Sequence, residues 1–315
     1  MQLTMKINFQ LLLLILTFNF SCNSDYIGED MVIEEQVKNK INFKINNLKP
    51  LNEIRNLSAS YCCENKISIT FDHWVSTSNG LGYGGSVFSL SLDKNGNLLD
   101  LFYKDYTHPN NEYYSPFFNP TSNLNVTNFE FIENQILRLK INGQILKKSS
   151  DFFEEPNSIE IEADIEIKQF HQCTCNSFSS RLIIDTNFVF GSVSRSHIGN
   201  NQDIRYSSFS NNGYHLEFIN FTEFIRDMPI GIYNFDANTI SQRIDFRKFV
   251  GVPRAYQFNI IPQEWLKYET SGSFEIMERQ QIGNDIVTKV RFNLVAKYNN
   301  EIIFDFNNAI LETQM

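Results

Sequence analysis

The sequence predicts an all-β protein, antiparallel and β-sandwich-like, arranged as two tandem domains behind a signal peptide and a tether. Aromatic and β-branched residues are abundant, with 29 Phe and 13 Tyr, and such side chains favour strands over helices. Apolar and polar residues alternate over many short segments, which is the pattern of strands that bury one face. The best helical candidates are short, at 220–226 and 263–267.

The first 21 residues have the pattern of a signal peptide. Lys6 precedes an apolar run at 7–20, which is shorter than the roughly 20 apolar residues that span a bilayer. Ser21 stands directly before Cys22, and this small residue before a cysteine resembles the processing site of bacterial lipoproteins. We therefore predict a signal peptide at 1–21 and a lipid on the Cys22 thiol that attaches the chain to a membrane. An ordinary secretory signal is the alternative.

A lipid on Cys22 predicts a location in the cell envelope, at the outer membrane or the cell surface if the source is Gram-negative. Residues 22–40 are polar and acidic, and we interpret them as a tether. Their acidic residues resemble the surface-export signals of Bacteroidota lipoproteins, with a solvated linker as the alternative. The first β-sandwich-like domain is placed at 41–172 and the second at 178–315. One continuous sandwich is the alternative.

Two hairpins are predicted in the first domain. An Asn-Gly pair at 95–96 divides the apolar stretch 87–102, which is typical of a tight hairpin. A second Asn-Gly pair, at 142–143, divides the stretch 136–146 in the same way.

Residues 159–167 predict a long strand, because apolar residues alternate with charged ones along it. The outward face carries Glu160, Glu162, Asp164 and Glu166. We expect these carboxylates to pair with basic residues such as Arg138 and Lys140 across the neighbouring hairpin. A divalent cation that bridges them is the alternative.

The C-terminal part is predicted to be a series of strands that ends in a hairpin. The predicted strands are 214–218, 229–235, 271–276, 288–297 and 301–306. The last two are joined by a turn at Asn299-Asn300. In this hairpin we expect Glu301 and Asp305 to lie across from Lys289 and Arg291.

Three short motifs occur in the same region: P-x-G-x-Y from Pro229, G-S-F-x-I from Gly272 and N-x-A-I ending at Ile310. Over 214–311, the order of these elements resembles Bacteroidota envelope lipoproteins that carry a β-sandwich domain of unknown function. The resemblance covers about a third of the chain and rests on structural motifs. It implies a β-sandwich and no known activity.

Four cysteines remain after Cys22: the adjacent Cys62 and Cys63, and the pair Cys173 and Cys175. An even number of cysteines in an exported protein favours disulfides. Because neighbouring cysteines rarely bridge each other without strain, we expect cross-links between the 62–63 and 173–175 segments. A thiolate metal site, with or without His171, is the alternative.

Charge and motifs exclude several functions. The formal net charge of −9 argues against nucleic acid as a partner and against electrostatic docking to anionic lipid. The sequence contains no H-E-x-x-H, G-x-S-x-G or Walker A pattern. Asp72 and His73 come closest to a catalytic dyad, with a packed or exposed histidine as the alternative. We therefore predict no catalytic residues, no cofactor and no resident metal.

The segment 103–120 is the best candidate for a binding element, because aromatic residues alternate there with Asn, Asp and Pro. Long irregular loops are often binding elements. The candidate ligand-binding residues are Tyr103, Tyr106, Tyr113, Tyr114 and Phe117. In the alternative interpretation, these rings cover an open end of the sandwich.

Together these patterns predict a non-catalytic, lipid-anchored envelope protein that binds an extracellular glycan or protein through its loops. The partners are the membrane, through the lipid on Cys22, and this unidentified ligand. A structural or assembly lipoprotein that contacts other envelope components is the alternative, and a hydrolase comes third. A glycan binder should expose Tyr113, Tyr114 or a Trp on a concave rim. An assembly protein should show a broad apolar patch or a bare edge strand.

Overall fold

The computed structural model describes most of the chain from residue 39 onward. The described ranges are 39–47, 54–62, 66–76, 83–106, 111–149, 157–168, 170–172, 179–184, 187–198, 203–257, 260–282 and 285–314. Strands dominate these ranges, which contain no α-helix and only two short 3₁₀ turns, at Pro120–Ser122 and Pro262–Glu264. Accordingly, no helix within them is long and apolar enough to cross a membrane. The all-β prediction is confirmed.

The first half of the described chain forms one sheet of ten strands. The strands are β1 (Lys40–Ile45), β2 (Ile54–Cys62), β3 (Lys66–Ser76), β4 (Tyr83–Asp93), β5 (Leu98–Asp105), β6 (Asn111–Tyr114), β7 (Leu124–Ile132), β8 (Ile136–Lys147), β9 (Ser158–Ile167) and β10 (His171–Gln172). Their order is β1-β9-β8-β6-β5-β4-β3-β2-β10, with β7 also paired to β8. All pairs are antiparallel except β10 with β2. The sheet curls into a half-barrel.

The core of this half lies on one face of the curled sheet. It is built from the alternate residues of β3, β4, β8 and β9, which are almost fully buried. Phe43, Phe71 and Phe88 pack against one another at its centre, with ring centroids 4.6–5.5 Å apart. Such aromatic contacts add to the stabilisation that burial of the rings supplies.

The charged face of β9 behaves as the alternation predicted. Asp164 forms an ion pair with Lys140 at 3.1 Å, and Glu166 forms one with Arg138 at 3.2 Å. Glu162 pairs with Lys44 of β1 at 3.1 Å. These groups are largely exposed, so each pair contributes little to stability.

The second half forms two sheets of five strands that pack face to face. The strands are β11 (Arg181–Ile183), β12 (Ser194–Ile198), β13 (Asp203–Phe209), β14 (Tyr214–Phe221), β15 (Gly231–Phe235), β16 (Arg243–Phe249), β17 (Trp265–Lys267), β18 (Glu269–Ile282), β19 (Asp285–Tyr298) and β20 (Glu301–Gln314). One sheet has the order β11-β20-β19-β18-β15 and the other β12-β13-β14-β16-β17. All their pairs are antiparallel.

The space between these two sheets is filled by apolar side chains from both, which makes this half a β-sandwich. Phe218 of one sheet, for example, packs edge-on against Phe292 of the other, with centroids 5.3 Å apart. The two large cores separate near the predicted boundary, one within 43–170 and one within 182–311. Lys38–Met315 nevertheless forms one compact unit. The division into domains at 41–172 and 178–315 stays a prediction.

One predicted hairpin is confirmed and the other is wrong. Residues 87–102 form the hairpin of β4 and β5, and Asp93 holds its turn by accepting hydrogen bonds from the Asn95 and Asn97 amides, both at 2.8 Å. At 142–143, however, β8 continues without a turn. Gly143 has φ 137°, and a Cβ there would lie 2.0 Å from the Asn123 carbonyl oxygen. The glycine therefore allows a close approach of two strands and does not mark a turn.

The final hairpin is present, but its charge pairing differs from the prediction. β19 and β20 turn at residues 299–300, as expected. Asp305 lies across from Val295, while Lys289 lies across from Glu312 and Arg291 faces Glu275 of β18. In a hairpin, paired residues stand at similar distances from the turn, and Lys289 is too far from it to meet Asp305.

Neither short helical candidate is a helix. In the stretch 220–226, Asn220 adopts a left-handed backbone with φ 63°, and tight turns follow. Of the stretch 263–267, the last three residues form β17 and extend the sheet beside β16. The predicted irregular segment 103–120 also contains strands, because β6 pairs with both β5 and β8.

The predicted disulfides fall outside the described side chains. Cys62 ends β2 but its side chain is not described, and Cys63, Cys173 and Cys175 lie outside the described residues. The backbone just before both cysteine pairs is described. There, β10 runs parallel to β2, with His171 next to Ser60 and Gln172 next to Tyr61. The cross-link between the two segments stays a prediction, as do the signal peptide, the tether and the lipid on Cys22.

Candidate functional site

The segment that follows β6 joins the two halves of the described chain. Phe118 in this segment is only 4% exposed and packs among three aromatic rings of the second half. These rings are Phe209, Phe249 and Trp265, with centroids at 4.9, 5.3 and 4.9 Å. The Phe117 amide also donates a hydrogen bond to the Arg254 carbonyl oxygen at 2.9 Å. The junction is therefore held by buried aromatic contacts and by main-chain bonds.

A cleft opens on this junction, and we call it the junction cleft. Leu99, Asp100 and Phe117 line both of its parts. The aromatic half has a volume of about 430 Å³ and is lined further by Tyr114, Ser115, Pro116, Lys148, Ala255 and Tyr256. The serine half has a volume of about 290 Å³ and is lined further by Lys66, Asp93, Pro120, Ser180, Arg181, Val189, Phe190, Gly191, Ser192, Phe209, Ser210 and Asn211.

Two aromatic side chains stand at the mouth of the aromatic half. Phe117 is 45% exposed and Tyr256 is 44% exposed. Their rings meet edge-on, with centroids 5.7 Å apart and planes at 75°. The Lys148 ammonium lies 5.9 Å from the Tyr256 centroid. Since each ring is fixed by its neighbours yet open to solvent, both can receive the apolar face of a ligand.

An ion-pair cluster supports one wall of the aromatic half. Glu112 accepts hydrogen bonds from Lys104 at 2.7 Å, from Lys148 at 3.3 Å and from the Tyr114 hydroxyl at 3.2 Å. The bond from Lys104 is the main reason why the pKa of Glu112 is lowered. Burial raises the pKa of Tyr114 to about 12, so its hydroxyl keeps its proton at neutral pH. The hydrogen bonds to Glu112 hold the side chains of Lys148 and Tyr114 in place in this wall.

Asp100 lies where the two halves of the junction cleft meet. The surrounding walls reduce its hydration and so raise its pKa, an effect that nearby Lys66 partly offsets. A hydrogen bond from the Ser115 hydroxyl also acts to lower the pKa. Asp100 is nevertheless accessible to solvent. A carboxylate in such a place is a strong acceptor for the hydroxyl or amine donors of a ligand.

The structure divides the five predicted ligand-binding residues. Tyr114 and Phe117 line the junction cleft, as a binding role requires. Tyr103 and Tyr113 are only 7% and 9% exposed, because alternation along β5 and β6 turns their rings into the core of the first half. Tyr106 is 53% exposed but lies outside the lining of the cleft. Tyr103 and Tyr113 are therefore core residues of the first half.

Sequence reasoning missed Asp100 and Tyr256. Asp100 is part of the hairpin strand β5, where it reads as an ordinary outward-facing residue. Tyr256 lies 139 positions beyond Phe117 in the sequence, in an irregular segment that contains Val250 and Val252. In the sequence, the one feature that could have drawn attention to Tyr256 is an aromatic residue in a short irregular segment that also contains apolar residues. Its proximity to Phe117 depends on the tertiary fold.

A second polar cluster lies on the outer face of the sheet that contains β14 and β16. Glu217 and Asp245 are cross-strand neighbours on these strands. They form ion pairs with four basic residues, Arg205, Arg247, Arg243 and Lys267. Burial raises the pKa of Glu217. Burial also acts to raise the pKa of Asp245, but Lys267 and Arg243 outweigh it, so that pKa is lowered. Because basic side chains already occupy both carboxylates, the cluster serves as an ion-pair network.

Within the described ranges, no group of three or more His, Cys, Asp or Glu residues could hold a metal ion. The geometry of the Asp72 and His73 pair is not described, because the His73 side chain lies outside the described residues.

Comparison with known proteins gives no match to a family model, to a curated protein or to a solved structure. The resemblance to Bacteroidota lipoproteins over 214–311 therefore stays a prediction.

Proposed function

We propose that this protein is a non-catalytic, lipid-anchored envelope protein that binds an extracellular glycan in the junction cleft. The observation that supports this most is the pair of exposed ring faces, Phe117 and Tyr256, beside the carboxylate of Asp100. The proposed anchor is the lipid on Cys22, which would hold the folded domain outside the cytoplasm.

The chemistry of the aromatic half suits a sugar ring. A pyranose presents C–H groups on its faces and hydroxyl groups around its edge. Aromatic faces accept the C–H side through dispersion and burial of apolar area. The hydroxyl edge then needs polar partners, and Asp100, Ser115 and Lys148 line the same space.

A glycan array probed with the soluble chain that starts at Asn23 tests this proposal. Phe117→Ala should weaken binding to the best glycans by about tenfold or more, which corresponds to roughly 1.4 kcal/mol of lost contact. Tyr106→Ala is the matched control, because it removes an aromatic ring of similar exposure outside the cleft. Unchanged binding by Phe117→Ala, or equal losses in both variants, would contradict the proposal.

A protein partner is the second candidate function, and one observation favours it. β15 is the last strand of its sheet among the described residues, and Ile232 on it is 67% exposed next to Ile230 at 63%. Exposed apolar residues on an edge strand are typical of surfaces that pair with another chain. If an envelope protein binds there, Ile232→Lys should abolish its cross-linking to this chain in intact cells while leaving glycan binding unchanged.

A further inference from the structure

The junction cleft has two parts that adjoin at Phe117. The aromatic half and the serine half share Leu99, Asp100 and Phe117 in their linings, so the two spaces meet at these residues. Each space approaches or exceeds the lower size range of small-molecule sites, which begins at roughly 300 Å³. A ligand confined to the aromatic half would leave the other space unfilled.

The serine half differs in chemistry from the aromatic half. Its walls carry small polar residues, namely Ser180, Ser192, Ser210 and Asn211, together with Gly191. Ser192 and Gly191 are exposed. Small hydroxyl side chains can both donate and accept hydrogen bonds. The Ser180 hydroxyl already donates to Thr313 and the Ser210 hydroxyl to Asn212, so the exposed Ser192 is the hydroxyl of this set that best suits a hydroxyl-rich ligand.

The charges in the serine half are balanced. Arg181 is bonded to Glu312 at 2.5 Å. Lys66 lies across β3 and β4 from Asp93 and acts electrostatically on Asp100. Because the two basic residues are matched by the carboxylates of Asp93 and Asp100, the lining of this half has no excess positive charge to attract an acidic ligand.

We infer that the ligand is a neutral, extended oligosaccharide that crosses Phe117, with at least one sugar ring in each half of the junction cleft. One ring stacks in the aromatic half against Phe117 and Tyr256. The chain then passes Asp100, whose carboxylate accepts hydrogen bonds from hydroxyl groups, and the next ring enters the serine half. This inference rests on the proposed function and specifies the substrate class of that site.

Length series of neutral and acidic sugars test the inference by isothermal titration calorimetry. The probes are manno-, xylo-, cello- and malto-oligosaccharides of one to six units, with oligogalacturonides of equal length as the acidic series. For at least one neutral series, affinity should rise about tenfold or more from one unit to four, the equivalent of roughly 1.4 kcal/mol. The acidic series should bind more weakly than that neutral series at every length.

A substitution in the serine half separates this inference from the proposed function. Ser192→Phe adds bulk at an exposed position of that half and should lower the affinity for the tetrasaccharide towards the monosaccharide value. Ser196→Phe is the matched control, because Ser196 is exposed on β12 and lies outside the cleft lining; it should bind as the wild type does.

The outcomes are distinguishable. Neutral sugars that bind with the same affinity at all lengths, or an acidic series that binds best, would overturn the inference while leaving glycan binding intact. An unchanged length dependence in Ser192→Phe would also overturn it. If a folded chain binds none of these sugars and no glycan on the array, the proposed function fails and the inference fails with it.

Discussion

Acid should destabilise this protein through His215, a buried histidine in β14. The His215 side chain is 1% exposed and stacks on Phe209, with ring centroids 4.2 Å apart. Within the described part of the chain, neither ring nitrogen has a hydrogen-bond partner. Burial, aided by the positive charge of Arg247, lowers the pKa of His215 to about 3, although Asp245 acts in the opposite direction.

The sign of the effect follows from proton linkage. In the unfolded chain, His215 takes up its proton near pH 6.5, whereas the folded protein resists protonation until about pH 3. The depressed pKa therefore leaves stability intact above pH 6.5 and removes it progressively as the pH falls towards 3. Each pH unit in this window costs about 1.4 kcal/mol, so the loss at pH 4.5 is about 2.7 kcal/mol.

Urea unfolding followed by tryptophan fluorescence at pH 7.5 and 4.5 measures this loss. His215→Phe keeps the stacked ring shape but does not titrate, so its stability advantage over the wild type should grow by about 2–3 kcal/mol at the lower pH. Glu217 and Asp245 titrate in both proteins. Their contribution to the pH dependence of stability therefore cancels, to first order, when the wild-type value is subtracted from the variant value.

Thr288→Val is the matched control for removal of a buried polar atom. The Thr288 hydroxyl is fully buried and has no hydrogen-bond partner among the described residues, but it does not titrate. Its removal should raise stability by about 1 kcal/mol equally at both pH values. If the difference between His215→Phe and the wild type is also the same at pH 7.5 and 4.5, the reasoning about His215 is refuted.

Three further predictions concern the anchor, the cysteines and the junction. Cys22→Ala should move the protein from the membrane fraction to the soluble fraction on cell fractionation, and a variant that stays in the membrane would contradict the lipid anchor. Peptide mapping without reduction should find the 62–63 cysteines linked to the 173–175 cysteines, while free thiols or bound metal would contradict this pairing. Phe118→Ala should lower the free energy of unfolding by about 3–5 kcal/mol, because it empties an aromatic site that is only 4% exposed. A loss below about 1 kcal/mol in urea melts would show that the junction does not depend on this ring.

The fold class could be predicted from the sequence because strand signals are local. The alternation along 159–167 and the Asn-Gly pair at 95–96 each fix a local geometry, and the structure has β9 and the β4–β5 hairpin there. Gly143 shows the limit of this reasoning. An Asn-Gly pair is also compatible with a continuous strand when a neighbouring backbone approaches closely, and only the tertiary structure shows that the Asn123 carbonyl does so.

The candidate site was predicted only in part, because it depends on contacts between distant segments. The aromatic segment around Tyr114 and Phe117 drew attention by composition alone. Composition does not show which rings face inward, so Tyr113 was included although it is buried. Tyr256 meets Phe117 through the packing of one half of the chain on the other, and Asp100 meets it through the pairing of β5 with β6, neither of which a local pattern encodes.

The most direct test of glycan binding in the junction cleft is hydrogen–deuterium exchange with and without the best neutral oligosaccharide. The account predicts slower exchange at the backbone amides of residues 114–118 and 254–257, which form the aromatic half and its support. Amides along β9, which β8 separates from β6 and which contributes no residue to the cleft lining, should exchange at unchanged rates. Protection that appears elsewhere while residues 114–118 and 254–257 exchange as in the free protein would contradict the assignment of this cleft as the binding site.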